Sequence, residues 1–165
     1  MESLAIWFAQ TLGQYMSAKT VVFIVSMLPI LECRGGLIVS ALLQVDIVEA
    51  IPLCVIGNLL PIPFLLLFIE KIFAWLKKIK LTRGFVESLE RRAMNRSDAL
   101  EKGEFLGLLL FVGIPLPGTG GWTGSLLASL MKVDFKKSLL AVFLGVLIAT
   151  VIMSILSYGL LVRLV

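Results

Sequence analysis

LPILECRGG at residues 28–36 interrupts one long apolar stretch of this chain, and PLPGTGGWTG at residues 115–124 interrupts a second one. The first interruption places a carboxylate and a guanidinium, those of Glu32 and Arg34, in the middle of apolar sequence. The second combines four glycines with two prolines, which a regular helix exposed to lipid does not accommodate. Each interruption is therefore predicted to be the tip of a helical hairpin.

The chain also repeats itself at a spacing of 88 residues, with no gap, across both interrupted stretches. Nine residues recur over the 37 positions 23–59. They are Phe23, Leu28, Pro29, Gly36, Leu42, Val45, Asp46, Gly57 and Leu59, matched by Phe111, Leu116, Pro117, Gly124, Leu130, Val133, Asp134, Gly145 and Leu147. In a membrane protein, a repeat broken by Pro and Gly at corresponding points indicates a transport site at the repeat interface. The repeat therefore predicts a transporter.

Composition predicts an integral membrane protein. Hydrophobic residues make up 59% of the 165-residue chain, and the mean hydropathy is +1.02. Residues 50–69 and 138–162 are each long enough to span a bilayer, which takes roughly 20 residues. A chain this short is one domain, so a homo-oligomer, with a dimer favoured, is expected.

Several chemistries are disfavoured by the residues that the chain lacks. It has no histidine, no Walker A lysine motif and no nucleophile with a histidine partner. Its two cysteines, Cys33 and Cys54, fall in apolar segments and are expected to be buried hydrophobes. The sequence therefore predicts no enzyme, no cofactor, no metal and no nucleic-acid partner.

The predicted organisation is a single all-α membrane domain made of two repeats. Residues 1–16 are expected to form an interfacial helix, residues 17–76 the first repeat, residues 77–104 a linker and residues 105–165 the second repeat. Each repeat would hold one hairpin and one spanning helix. The linker is expected to be cytoplasmic and to contain a short amphipathic helix; a site for acidic partners is the alternative.

Charge predicts how the hairpins sit in the membrane. Lys132, Lys136 and Lys137 follow the second hairpin, and the positive-inside rule puts them with the basic linker on the cytoplasmic side of the inner membrane. This requires residues 20–45 and 105–131 to be re-entrant hairpins. Each repeat then crosses once, so the two repeats are predicted to be inverted.

The hairpin tips are predicted to bind an anion. The returning helices are expected to start at mid-membrane, at Gly35–Gly36 and around Gly121 to Gly124, with unpaired N–H groups and the positive dipole end facing inward. Arg34 would add charge, hydroxyls would add donors, and Glu32 would be a proton carrier or counter-ion. The predicted substrate or coupling residues are Glu32, Arg34, Gly35, Gly36, Pro117, Gly118, Thr119, Gly120, Gly121, Trp122, Thr123 and Ser125.

Structural interpretations of the same residues stay open. Glu32 and Arg34 could bind each other or backbone carbonyls and simply hold the broken helix together. Trp122 could be a packing wedge, and Asn58 is expected to shape a kink rather than to bind ligand. Asp46 and Asp134 are expected to be N-caps.

The two interruptions resemble those of the small multi-drug export protein family of bacteria and archaea, and the resemblance covers nearly the whole chain. That family in turn is similar to the DedA superfamily, which implies inverted re-entrant hairpins and functional roles for Glu32 and Arg34. It also implies a lipid or small amphipathic substrate, because DedA proteins are implicated in flipping undecaprenyl phosphate and their eukaryotic relatives in lipid scrambling. The chain departs from DedA proteins in having no arginine between Pro117 and Met131.

The function predicted from the sequence is thus a DedA-like transporter of an anionic lipid carrier. A proton-coupled exporter of small hydrophobic cationic drugs, using Glu32, is the main alternative. A non-transporting membrane adaptor is the third.

Overall fold

A computed structural model describes residues 7, 11–12, 14–78, 83–84, 87, 103–116 and 118–160. These residues contain no strand and form seven principal helices. The helices are α1 (Ala18–Met27), α2 (Glu32–Leu42), α3 (Ile47–Leu59), α4 (Ile62–Leu76), α5 (Glu104–Gly113), α6 (Gly121–Leu130) and α7 (Phe135–Leu160). The predicted interfacial helix and linker helix lie largely outside the described residues.

The first hairpin consists of α1 and α2. A side chain on Gly36 would overlap the Ser26 hydroxyl and come within 2.9 Å of Cys54 Sγ. In one continuous helix, residues 26 and 36 would lie about 15 Å apart along the axis. Their contact therefore shows that α2 folds back along α1.

The second hairpin consists of α5 and α6. A side chain on Gly124 would come within 3.6 Å of Leu108 Cδ1, although a continuous helix would separate these positions by about 24 Å. Each hairpin helix has 10 or 11 residues, about half of what a bilayer requires. The sequence predicted a helical hairpin at each interruption, and the structure has two short helices there that fold back on each other.

Two helical segments are long and apolar enough to cross a membrane among the described residues. They are Ile47–Phe68, which joins α3 to the start of α4, and Phe135–Gly159, which is nearly all of α7. Pro52 lies inside α3, and the helix is interrupted at Leu60 and Pro61. Only 22% of the first segment's most apolar window is buried, whereas the core helix of a soluble protein would be mostly covered.

Backbone geometry recurs at the spacing of 88 from α2 onward. Gln44 and Lys132 occupy equivalent positions and both have positive φ, of 54° and 57°. Asp46 Oδ1 accepts a hydrogen bond from Val48 N at 2.8 Å, and Asp134 Oδ1 accepts one from Lys136 N at 3.0 Å. The prediction that both aspartates are N-caps is confirmed.

The first helices of the two hairpins correspond at a spacing of 86 rather than 88. Their bounds, Ala18–Met27 and Glu104–Gly113, differ by 86 at both ends. The packing agrees, because Gly57 closely approaches the carbonyl of Phe23 and Gly145 that of Leu109. The ungapped repeat is therefore wrong for this helix. The turn between α5 and α6 is three residues longer than that between α1 and α2; one of these residues reflects the later start of α6, and the other two account for the shift.

The core lies where α1, α2, α3 and α7 meet. It includes Val25, Leu37, Cys54, Val142 and Val146, all 0% exposed. Helix α5 packs on α7, and α6 packs on α4 and α7. Large apolar side chains on the outer faces of α4 and α7 are exposed, as expected for a surface that meets lipid.

The far end of α7 is tied to the first hairpin. Tyr158 Oη lies 2.8 Å from Ser40 Oγ and donates to the Val45 carbonyl at 2.7 Å. This arrangement fixes the hairpin against the spanning helix.

Candidate functional site

Glu32 binds the N-terminus of α6. It is the first residue of α2, with φ of 53° and 5% exposure. Oε2 accepts a hydrogen bond from Gly121 N at 3.0 Å, and Oε1 accepts one from Trp122 N at 3.1 Å. Helix α6 has no capping side chain of its own, because Gly120 precedes it. Glu32 therefore supplies that cap from the other hairpin.

Arg34 binds the end of α5 and the turn that follows. It is 4% exposed. Nη1 donates to the Leu116 carbonyl at 2.7 Å, and Nη2 donates to Thr119 Oγ1 at 3.1 Å. Nη2 also lies 3.3 Å from the Val112 carbonyl and 3.4 Å from that of Ile114. A guanidinium suits these carbonyls, which carry the negative end of the helix dipole.

Glu32 and Arg34 form no ion pair with each other; the ion pairs found among the described residues are elsewhere. Both side chains extend from the first tip to the second, where they bind opposite ends of a broken helix. The interpretation that Arg34 binds backbone carbonyls is confirmed, and direct pairing of the two charges is wrong. The second tip offers N–H groups at the start of α6 and carbonyls at the end of α5. Glu32 binds these N–H groups and Arg34 binds these carbonyls.

The first tip differs from its predicted form. Helix α2 begins at Glu32, about one turn before Gly35–Gly36. Glu32 N donates to the Leu28 carbonyl at 2.9 Å and Gly35 N donates to that of Leu31 at 2.7 Å. The helix starts three residues after Pro29, and two of its first N–H groups already donate hydrogen bonds. Gly35 and Gly36 lie at packing contacts with Leu31 and Ser26.

The second tip is built by glycines whose backbone approaches other groups closely. Gly120 has φ of 143°, and a side chain there would overlap the Glu32 carboxylate. A side chain on Gly121 would lie 3.4 Å from Asn58 Nδ2 and 3.4 Å from Val146 Cγ2. Gly118 has φ of 79°, with nothing within 4 Å of where a side chain would stand.

The hydroxyl groups expected at the second tip already donate within the hairpin. Thr119 Oγ1 lies 2.8 Å from the Leu116 carbonyl and accepts from Arg34. Thr123 Oγ1 donates to the Gly120 carbonyl at 3.4 Å, and Ser125 Oγ to that of Gly121 at 2.7 Å. These hydroxyls hold the tip together, and a role for them in binding substrate stays a prediction. Pro117 lies outside the described residues.

Several buried polar atoms beside the tips have no hydrogen-bond partner. They are Arg34 Nε, Trp122 Nε1 and both amide atoms of Asn58. Asn58 was expected to shape a kink, although it is the only amide side chain in residues 50–69. A lone amide in an apolar segment was the only feature of the sequence that marked Asn58 as a candidate site residue.

The fold and the site define a class of helical membrane protein, in which paired half-length hairpins meet between two longer apolar helices. The profile of the family described as "Putative small multi-drug export protein" matches residues 32–152. The chain belongs to that family. The match begins at Glu32, so it includes both charged residues of the first tip. Comparison with curated proteins and with solved structures finds no match.

Chemically, the arrangement holds a carboxylate in the protein interior by two backbone N–H groups at a helix N-terminus. A phosphate would use the same donors. Cys33 and Cys54 are buried free thiols, and the described residues contain no group of three or more potential metal ligands. The geometry at the tips is therefore that of an anion-binding site occupied by the protein's own Glu32.

Proposed function

We propose that this membrane protein is a DedA-like transporter that translocates an anionic lipid carrier phosphate, such as undecaprenyl phosphate, between its hairpin tips. The observation that carries the proposal is the carboxylate of Glu32 at the N-terminus of α6, bonded to Gly121 N at 3.0 Å and Trp122 N at 3.1 Å. A helix N-terminus that holds one anion in a dry interior has the dipole and the donors to hold another.

In this proposal the substrate phosphate exchanges with Glu32. Both anions require the same N–H groups, so the carboxylate must leave before the phosphate binds. Protonation of Glu32 would remove the charge that holds it there, which makes a proton the natural coupling ion. Arg34 stays on the carbonyls of the turn and keeps the tip positively charged.

The proposed topology has two re-entrant hairpins and two inverted repeats. A polar tip at mid-membrane agrees with hairpin helices of half the bilayer thickness. Lys132, Lys136 and Lys137 would lie on the cytoplasmic side with residues 77–104. A homodimer would complete the pathway for a chain with two long apolar segments.

A second candidate is proton-coupled export of small hydrophobic cationic drugs. The family name favours it, and so does the presence of a buried carboxylate, which a cationic ligand would need. Arg34, two residues after Glu32 in the same turn of α2, counts against it, and so do the two N–H groups that bind the Glu32 carboxylate.

Removal of the Glu32 charge separates the two candidates because it has opposite effects on them. Glu32→Ala and Glu32→Gln remove the competitor of a phosphate, and they remove the partner of a cation. We expect farnesyl phosphate to bind both variants more tightly than wild type, by about tenfold or more, while its transport is lost. The measurement is binding of farnesyl phosphate and of tetraphenylphosphonium to the purified full chain in detergent.

Glu32→Gln controls for loss of the cap, because Gln keeps an acceptor for one of the two N–H groups. Asp46→Asn is the matched control, an exposed carboxylate at another helix N-terminus. Loss of tetraphenylphosphonium binding in both Glu32 variants, with no farnesyl phosphate binding in any protein, would overturn the phosphate proposal in favour of drug export.

A further inference from the structure

Asn58 is a buried amide that makes no hydrogen bond of ordinary geometry. It lies in α3, is 0% exposed, and neither Nδ2 nor Oδ1 has a hydrogen-bond partner. Burial of an amide without partners costs free energy, and nearly all buried polar groups in proteins avoid that cost. An amide left in this state therefore has a role that the unliganded fold does not reveal.

Its position is beside the anion-binding tip. Asn58 Nδ2 lies 3.4 Å from where a side chain on Gly121 would stand, and Gly121 N is one of the two groups that bind Glu32. The amide also approaches the thiol of Cys33, a weak hydrogen-bonding group that adjoins Glu32 in the chain. Two further buried donors without partners, Arg34 Nε and Trp122 Nε1, belong to residues whose other groups form the contact between the tips.

The second repeat has no amide at the position that corresponds in sequence. The residue 88 positions after Asn58 is Val146, which is also 0% exposed and lies 3.4 Å from the same point on Gly121. A valine thus fills one equivalent position and an asparagine the other. The difference between them is chemical, since both side chains pack equally deep.

We propose that Asn58 is a ligand-contacting residue that selects the head group of the transported molecule. This inference rests on the proposed function and deepens it. The amide offers one donor direction and one acceptor direction, so a matching head group presents an acceptor oxygen and a hydrogen-bond donor together. A phosphate monoester with one proton has both, a phosphate diester lacks the donor, and a lipophilic phosphonium cation lacks both.

The deciding variant is Asn58→Val, which gives the first repeat the residue of the second. Because the amide has no partner in the unliganded protein, its replacement leaves the melting temperature unchanged or raises it. Binding of farnesyl phosphate falls by about tenfold or more, since a hydrogen bond to a charged group is lost. The wild type binds farnesyl phosphate more tightly than its methyl diester, and Asn58→Val loses that preference.

Ser154→Ala is the matched control, because Ser154 is also buried and its Oγ also has no partner. It leaves farnesyl phosphate binding unchanged. If the wild type binds farnesyl phosphate and Asn58→Val binds it equally well, the role of Asn58 is refuted and the proposed function stands. If Asn58→Val melts lower or fails to fold, the amide is structural. If the wild type binds no prenyl phosphate, the proposed function fails as well.

Discussion

At the scale of residues, two buried charges join the two hairpins without contacting each other as an ion pair. Glu32 binds the positive end of α6 and Arg34 binds the carbonyls at the end of α5. Each charge thereby offsets a helix dipole and gains hydrogen bonds, which offsets the cost of burial. Under the proposed function, the same two charges lie where the substrate binds.

The absence of direct pairing predicts that Glu32→Ala and Arg34→Ala act independently. Each should lower the free energy of unfolding by roughly 1.5–3 kcal/mol, because each removes hydrogen bonds made by a charged group. The double variant should lose nearly the sum, with a coupling energy below about 1 kcal/mol. Unfolding of the purified protein in mixed micelles measures all four proteins of this cycle.

Recovery of stability in the double variant would contradict this expectation, because a buried ion pair loses most when a single partner is removed. Lys19→Ala with Glu49→Ala is a suitable comparison cycle. Those side chains do form an ion pair, at 2.8 Å, but on the surface.

At the scale of elements, the two hairpins share one design and differ in their turns. Four residues join α1 to α2 and seven join α5 to α6. The longer turn supplies the carbonyls that bind Arg34, and it ends in a glycine that lets the Glu32 carboxylate approach the start of α6. The length of the second turn and the position of its last glycine thus allow the second hairpin to bind both charged side chains of the first.

Gly120→Ala is predicted to damage the protein more than Gly118→Ala. Both glycines have positive φ, so both substitutions strain the backbone by about 1–3 kcal/mol. Only at Gly120 would the new methyl group also overlap the Glu32 carboxylate. Gly120→Ala should therefore show the lower melting temperature and should bind farnesyl phosphate differently from wild type, whereas Gly118→Ala should bind as wild type does.

Equal melting temperatures for the two variants would show that the close approach of Glu32 contributes nothing to stability. The comparison is matched because both residues belong to the same turn.

At the scale of the whole molecule, the described helices enclose a polar contact inside a largely apolar surface. The contact between the tips lies between α3 and α7, and exposed side chains such as Phe64, Leu147, Val151 and Ile155 cover the outside. A membrane solvates such a surface, and the buried charges of Glu32 and Arg34 then lie in the protein interior.

The proposed topology predicts that single cysteines at Ser97 and Lys136 react from the same side of the membrane. A hairpin that returns to the face it entered leaves the linker and the loop after α6 together. A cysteine at Val48, which is exposed in the first turn of α3, should react from the opposite side. Reaction with a membrane-impermeant maleimide in oriented vesicles measures this, with Cys33→Ala and Cys54→Ala as background.

Labelling of Ser97 and Lys136 from opposite sides would refute re-entrance. It would mean that the second hairpin, α5 and α6, crosses the membrane.

The sequence alone determined the features that depend on local chemistry. Long apolar runs gave the two long helices, proline and glycine clusters gave the hairpin turns, and Asp46 and Asp134 gave the N-caps, because each effect acts within a few residues of its cause. The tertiary structure decided which backbone groups Glu32 and Arg34 bind, since those partners lie 78 to 90 residues away. It also decided the shift of two residues between α1 and α5 and the isolation of Asn58. These features depend on how the packed helices meet in space, and no local pattern in the chain encodes that.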